Sequence, residues 1–187
     1  MTWSDDEMPK YGLVTDLTKC VGCRACTTAC QMQNDLEPYE RWLQVQETEE
    51  GKFPSVTKSF LTVQCQHCDK AVCITVCPVK ANYKRTDGIV MIDEDRCVGC
   101  KYCVVACPYQ ARILNEARGV AQKCWLCYQR VEKGVAPACV VACPAGARYF
   151  GNLEDPDSEA SKLVVRRKAT KLRPDLGTEP TLYYIRS

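Results

Sequence analysis

The chain is short of several things that define common function classes. It has a single histidine, His67, so a centre that needs two histidine ligands is excluded. No C-x-x-C pair is followed by histidine, which excludes covalent c-type haem. Charge of one sign is also missing: Lys+Arg 25 against Asp+Glu 23 leaves no basic footprint for nucleic acid or an anionic membrane. No apolar run approaches the roughly 18 residues of a membrane span. The opening stretch, Met1 to Tyr11, is acidic (Asp5, Asp6, Glu7), with neither twin arginine nor apolar core, so no export signal is expected there. Nucleotide-binding glycine fingerprints and nucleophile–base pairs are absent too, and the chain is not expected to transform a substrate by itself.

What is abundant is cysteine, 16 of 187 residues. In a reducing compartment clustered cysteines point to metal rather than disulfides, and spacing sharpens this. Cys20, Cys23, Cys26 and Cys30 form a first group. Cys65, Cys68, Cys73 and Cys77 form a second, followed by Pro78. Cys97, Cys100, Cys103 and Cys107 form a third before Pro108, and Cys124, Cys127, Cys139 and Cys143 a fourth before Pro144. The third reads C-x-x-C-x-x-C-x-x-x-C-P, the bacterial ferredoxin run that wraps a [4Fe–4S] cube with three thiolates and sends the fourth to a neighbouring cube. Proline after the last cysteine suits the change of direction there.

An internal repeat supports the assignment. CVGCRACTTAC (20–30) matches CVGCKYCVVAC (97–107), and CVVACP (103–108) recurs at 139–144. Two such repeats make one ferredoxin-like unit and four make two. Gly22 and Gly99 suit a backbone bent tightly around a cluster. Eight disulfides are arithmetically possible, and zinc ribbons also use C-x-x-C, but zinc has no use for a third cysteine three residues on. His67 is expected to pack beside a cluster or hydrogen-bond near a sulfur, not to ligate.

Short elements frame these loops, giving an α+β fold class. A strand is predicted at 11–16, and a helix over 24–34 carrying Cys30. Strand runs follow at 42–47 and 56–63 around Gly51. A hairpin at 82–93 turns at Asp87-Gly88 with positive φ of the primed type. A second strand pair, 111–115 and 120–123, turns at Arg118-Gly119. A helix is expected over 125–133, ending at Gly134. Asp157 or Ser158 is placed to cap a helix running to about Lys171, with Pro174 barring any further helix, and Thr181–Ile185 reads as a final edge strand. The basic tail (Arg166, Arg167, Lys168, Lys171, Arg173) reads equally well as a solvated face or a partner-docking arm. Four oxidised cubes at 2− each would move the net charge from +2 to roughly −6. Lys19, Arg24, Lys101, Arg112 and Lys123 adjoin cysteines and are candidates to offset it.

From about Tyr11 to Ile185 the chain resembles the four-cluster iron–sulfur subunits of molybdenum/tungsten bis-pterin oxidoreductases, the dimethyl sulfoxide reductase family. It is most similar to the short polysulfide-reductase type. The resemblance is carried by Cys30-Gln31 without proline, Cys65-x-His67-Cys68, Cys107-Pro-Tyr-Gln-Ala-Arg112, Lys123-Cys124 with Pro137-Ala-Cys139, Phe150 to Asp155, and Leu172 to Thr178 ending in Tyr184. Lys70-Ala71-Val72 before Cys73 departs from it, where many relatives have proline.

The resemblance implies four [4Fe–4S] clusters with crossed ligation. Cys20, Cys23 and Cys26 would share one with Cys143, and Cys124, Cys127 and Cys139 one with Cys30. Cys65, Cys68 and Cys73 would take Cys107, and Cys97, Cys100 and Cys103 would take Cys77. It further implies one ferredoxin-like unit from 11–40 and 111–155, a second from 64–110, a β insertion at 41–63, and a C-terminal helix and tail at 156–187. The implied role is non-catalytic electron transfer between a large molybdopterin catalytic subunit and a quinone-interacting membrane subunit. Attachment to the membrane would come through partners, on the outer face if the complex is co-exported. The rival is a soluble polyferredoxin or a subunit of a cytoplasmic complex.

Overall fold

The computed structural model describes residues 9–186; the acidic stretch Met1–Met8 and Ser187 lie outside the described residues. In chain order the first half holds β1 (Tyr11–Asp16), α1 (Ala25–Gln33), β2 (Leu43–Lys52), β3 (Ser55–Gln64), α2 (Val72–Thr75), β4 (Asn82–Lys84) and β5 (Val90–Ile92). The second holds α3 (Tyr102–Val105), β6 (Arg112–Asn115), β7 (Val120–Lys123), α4 (Tyr128–Val131), α5 (Ala138–Val141), β8 (Arg148–Asn152), α6 (Glu159–Arg166), β9 (Thr170–Lys171) and β10 (Leu182–Ile185). The fold is α+β, as the sequence predicts.

One four-stranded sheet, in the order β8-β1-β10-β9, joins the two ends of the chain. β1 runs antiparallel to β8 and parallel to β10. Successive side chains of a strand point to opposite faces, and both faces of β1 are covered. Leu13 packs with Leu126, Leu182 and Tyr184, while Val14 packs with Ala160, Leu163 and Ile185 under α6. Burial on both sides explains the weak alternation of this segment. The last strand is therefore not at an edge: β10 lies between β1 and β9, where it occupies the side of β1 that β8 leaves open.

Three separate hairpins, β2–β3, β4–β5 and β6–β7, complete the strands. The first is longer than expected, with pairs from Leu43↔Gln64 to Lys52↔Ser55. Its turn falls at Phe53-Pro54, so Gly51 lies inside the ladder, not between the strands. The Asp87-Gly88 turn also differs. Only Gly88 of that pair takes a positive φ, and its N–H donates to the Arg85 carbonyl (3.1 Å). With Arg85 N–H bonded to Ile89 O (2.9 Å), this is a three-residue loop with a bulge rather than a two-residue primed turn. The β6–β7 hairpin matches its prediction.

The helix expected over 125–133 shrinks to α4, because Leu126 and Cys127 are left-handed (φ 55° and 51°) and cannot open it earlier. α6 likewise ends at Arg166, not near Lys171. Lys168 turns left-handed and Thr170 and Lys171 pair with β10 instead. Ser158 occupies the cap position without a side-chain bond. Among the described residues no helix is long and apolar enough to cross a membrane.

Candidate metal centres

The four cysteine loops share one backbone geometry. The third residue of each C-x-x-C opening, Gly22, His67, Gly99 and Leu126, is left-handed, with φ of 68°, 45°, 64° and 55°. Two of the four are glycine for an added reason. A Cβ on Gly22 would strike the Phe60 ring of β3, and one on Gly99 would strike the Gly119 carbonyl. His67 and Leu126 instead bear a left-handed strain of about 1–2 kcal/mol each, held by the surrounding packing. A second left-handed position follows each Cys-Pro by two residues, at Lys80, Gln110 and Gly146. Cys30, with Gln31 after it, lacks this turn and continues along α1 to Gln33.

These loops bring cysteines of different groups together. Cys20, Cys23, Cys26 and Cys143 line one cavity. Cys30, Cys124, Cys127 and Cys139 line a second, and Cys65, Cys68, Cys73 and Cys107 a third. Each encloses about 310–370 Å³ of space free of protein atoms, part of it open to solvent. The four cysteines left, Cys77, Cys97, Cys100 and Cys103, flank the contact of α2 with α3, where buried Cys103 packs beside Cys73 and Cys97. β1 and β8 account for the meeting of first and last groups. Thr15 pairs with Arg148, and Asp16 N–H donates to Ala147 O (2.7 Å), so Cys20 and Cys143 emerge at the same end of the sheet.

All sixteen thiols are free. Among the described residues no three ligating side chains converge closely enough for a single metal ion; the thiols stand around cavities wider than a lone zinc requires. Burial pushes the Cys30 and Cys68 thiols up to about 12 and Cys124 well above its usual value, with neighbouring cysteines adding to the effect. Without metal these three thiols are protonated, and metal binding must displace those protons. Donors that favour the thiolate are in place. Ala81 N–H reaches Cys77 Sγ (3.2 Å), Leu126 N–H reaches Cys124 Sγ and Ala147 N–H reaches Cys143 Sγ (3.3 Å each). Burial raises the Cys77 pKa, yet its N–H bonds outweigh that and hold it below the usual value.

The strongest test of fit is electrostatic. Arg112, Lys123 and Arg148 are buried (5%, 0% and 5% exposed), and among the described residues none pairs with a carboxylate. Arg112 Nη2 and Arg148 Nε and Nη1 have no hydrogen-bond partner at all. A buried, unpaired cation costs several kcal/mol. Negatively charged groups in the cysteine cavities would remove that cost, so thiolate-ligated cubes of 2− charge fit the residues present.

Of the five cations singled out in the sequence, only Arg112 and Lys123 are buried. Lys19 lies outside against the Tyr149 hydroxyl (2.7 Å), Arg24 faces Glu47, and Lys101 is exposed. Arg148 was legible but missed: arginine stands five residues after the last cysteine in both Cys107-Pro-Tyr-Gln-Ala-Arg112 and Cys143-Pro-Ala-Gly-Ala-Arg148. The tail also has an unforeseen part in the sites. Thr178 lines the Cys65 cavity and shares a 2.5 Å hydrogen bond with Tyr109, while Thr178, Glu179 and Thr181 bond to the backbone of Lys70, Asp69 and Gln66. His67 is fully buried; its Nδ1 accepts from Val90 N–H (3.1 Å) and its Nε2 has no protein partner. Burial, then Lys123, Arg112 and Lys84, holds its pKa well below the usual histidine value. A broad open hollow beside α6, lined by Glu154, Pro156, Lys162 and Val165, contains no cysteine.

Two family models, each described as a 4Fe-4S dicluster domain, match residues 56–153 and 19–81. The chain is 40% identical to the putative dimethyl sulfoxide reductase iron-sulfur subunit of Halobacterium salinarum, covering 95% of this chain and 79% of that one. It is 42% identical to a sulfite dehydrogenase subunit of Allochromatium vinosum (95% and 83% covered). With a tetrathionate reductase subunit of Salmonella typhimurium it shares 41% (94% and 72%). The chain belongs to this family, the 4Fe-4S dicluster iron–sulfur subunits of molybdopterin oxidoreductases.

Proposed function

We propose that the chain relays electrons through four [4Fe–4S] clusters between a molybdopterin catalytic subunit and a quinone-linked membrane subunit. The clusters would be a (Cys20, Cys23, Cys26, Cys143), b (Cys30, Cys124, Cys127, Cys139), c (Cys65, Cys68, Cys73, Cys107) and d (Cys77, Cys97, Cys100, Cys103). The observation that carries this is the set of cavities lined by three cysteines of one group and one of another. Site d follows as the four cysteines that remain, around the α2–α3 contact. The cubes supply one-electron redox chemistry when bound. The protein supplies fixed positions, N–H donors to sulfur, and exclusion of water. We assign a and b to one ferredoxin-like unit (11–40 with 111–155) and c and d to the other (64–110), with 41–63 as an inserted hairpin and 156–187 as helix and tail.

The burial pattern supports a docked relay over a diffusing polyferredoxin. All four cysteines of b are buried, whereas a and d each have an exposed one, Cys23 and Cys100. Apolar side chains stand exposed beside those two: Val21 near Cys23, and Val98, Tyr102 and Val105 near Cys100. Such surfaces suit partner subunits at two ends of a relay. The membrane partner would hold the chain at the bilayer, on the outer face when the complex is exported.

The tests are compositional and spectroscopic. The anaerobically purified complex should contain, beyond the content of its other subunits, about sixteen iron and sixteen acid-labile sulfide per copy of this chain, the content of four cubes. Cys30→Ser should alter the electron paramagnetic resonance signal of the cluster bound by Cys124, Cys127 and Cys139. Loss confined to the Cys20 cluster would overturn the crossed assignment, and purification as a lone monomer without a large molybdenum subunit would overturn the docked role.

A further inference from the structure

We propose that Arg148, Lys123 and Arg112 are positioning residues at three junctions, each a fixed countercharge shared by the two clusters it separates. The four sites would then alternate with cations in the order a, Arg148, b, Lys123, c, Arg112, d. This rests on the cysteine quartets proposed above.

The geometry gives each cation two neighbours. Arg148 lines the cavity of Cys20, Cys23, Cys26 and Cys143, and its Nη2 donates to the sulfur of Cys139 in site b (3.6 Å). Lys123 Nζ donates to the carbonyl of Cys124 in site b (2.8 Å) and to the carbonyl of Val90, which lines the cavity of site c. Arg112 lines the cavity of site c and donates through Nη1 to Asn82 Oδ1 (2.7 Å). Asn82 stands five residues after Cys77 of site d, beside the Ala81 N–H that bonds that sulfur. Arg112 and Lys123 are directly paired across the β6–β7 ladder, which fixes the spacing of the second and third cations.

A one-electron reduction adds a unit of negative charge to a cube. A cation fixed between two cubes favours the reduced form of both and weakens the repulsion between neighbours reduced together. No carboxylate among the described residues neutralises these three, so their charge is fully available to the clusters.

The test is a redox titration of the assembled complex, each cluster followed by its electron paramagnetic resonance signal, with Arg148→Gln, Lys123→Met and Arg112→Gln. Each should lower the midpoint potentials of its two flanking clusters by at least tenfold in the one-electron equilibrium, about 59 mV. The other two clusters should shift much less. Arg148→Lys and Arg112→Lys keep the charge and should restore most of each shift. If a neutral variant loses iron, the loss should fall on the same two clusters and be repaired by the lysine variant. A uniform shift of all four, no shift, or an equal shift with lysine would overturn the proposal. The outcome is separable from failure of the quartets, which Cys30→Ser reports independently.

Discussion

The two ferredoxin-like halves close their sites by different means. The proposed sites c and d draw on residues 65–107, which hold one short hairpin, β4–β5; its Ile92 packs with Cys103 and Ala121, and its Ile89 and Met91 reach the cluster around Leu13. The proposed sites a and b instead join residues 20–30 to residues 124–143, across most of the chain. The four-stranded sheet closes that distance, and its two apolar clusters around Leu13 and Val14 supply the stabilisation. Long closures add only slowly to the entropic cost, but something must hold them. The contrast therefore predicts a middle unit that depends on its metals and a terminal unit that depends on its sheet.

Removing the metal should separate the halves most sharply. Small domains with thin cores need metals to stay folded. After iron chelation, hydrogen exchange should show β4 and β5 losing protection outright while β1, β8 and β10 retain part of theirs. Equal loss in both regions would break the comparison. The converse experiment is Leu13→Ala, which truncates a buried side chain of the sheet and should cost about 2–5 kcal/mol. On heating, the signals of clusters a and b should disappear before those of c and d; simultaneous loss would mean that the halves unfold as one unit.

Much of this was legible in the sequence because ligand spacing is a local property. The cysteine groups, the strand at Tyr11–Asp16, and the hairpins around Gly88 and Gly119 all follow from short-range patterns. The features that were not legible depend on the two chain ends meeting. Nothing near Thr181–Ile185 announces that it will lie inside a sheet beside β1, and nothing near Thr178 announces that it lines the cavity of Cys65. Helix limits failed where the loop geometry overrode propensity, as at Leu126 and Cys127, whose left-handed backbone serves the cysteine loop. Charge near cysteine was visible, but burial was not: Lys19, Arg24 and Lys101 look like Arg112 and Lys123 in one dimension.

His67 offers a pH handle on the middle unit. The folded state holds it neutral, with its pKa well below the usual value, while the unfolded chain takes up a proton from about pH 6.5 downward. Because the folded pKa is depressed, the contribution is fully present above pH 6.5 and is lost as pH falls below it, by at most about 1.4 kcal/mol per unit. His67→Asn, which tolerates the left-handed backbone, should flatten this part of the stability–pH profile between pH 6.5 and 5. An unchanged profile would mean that other groups govern acid loss.

The smallest effect should come from the charge link between the halves. Lys10, just before β1, pairs with Asp69 of the second cysteine group (2.7 Å), and Asp69 also meets Lys84 (2.5 Å). Burial raises the Asp69 pKa, but the bonds from Lys10 and Lys84 outweigh it and hold it below the usual carboxylate value. Both Lys10 and Asp69 are about one-third exposed, so the pair is screened, and Lys84 remains when Lys10 is gone. Lys10→Ala should therefore cost about 0.2–0.5 kcal/mol, diminishing further with salt, and leave all four cluster signals unchanged. A loss well above 1 kcal/mol, or a shift in cluster c, would show that the halves are coupled through this surface pair. The backbone bonds from the tail at Thr178–Thr181 to Gln66–Lys70 would then be the lesser link, reversing the order that burial dictates.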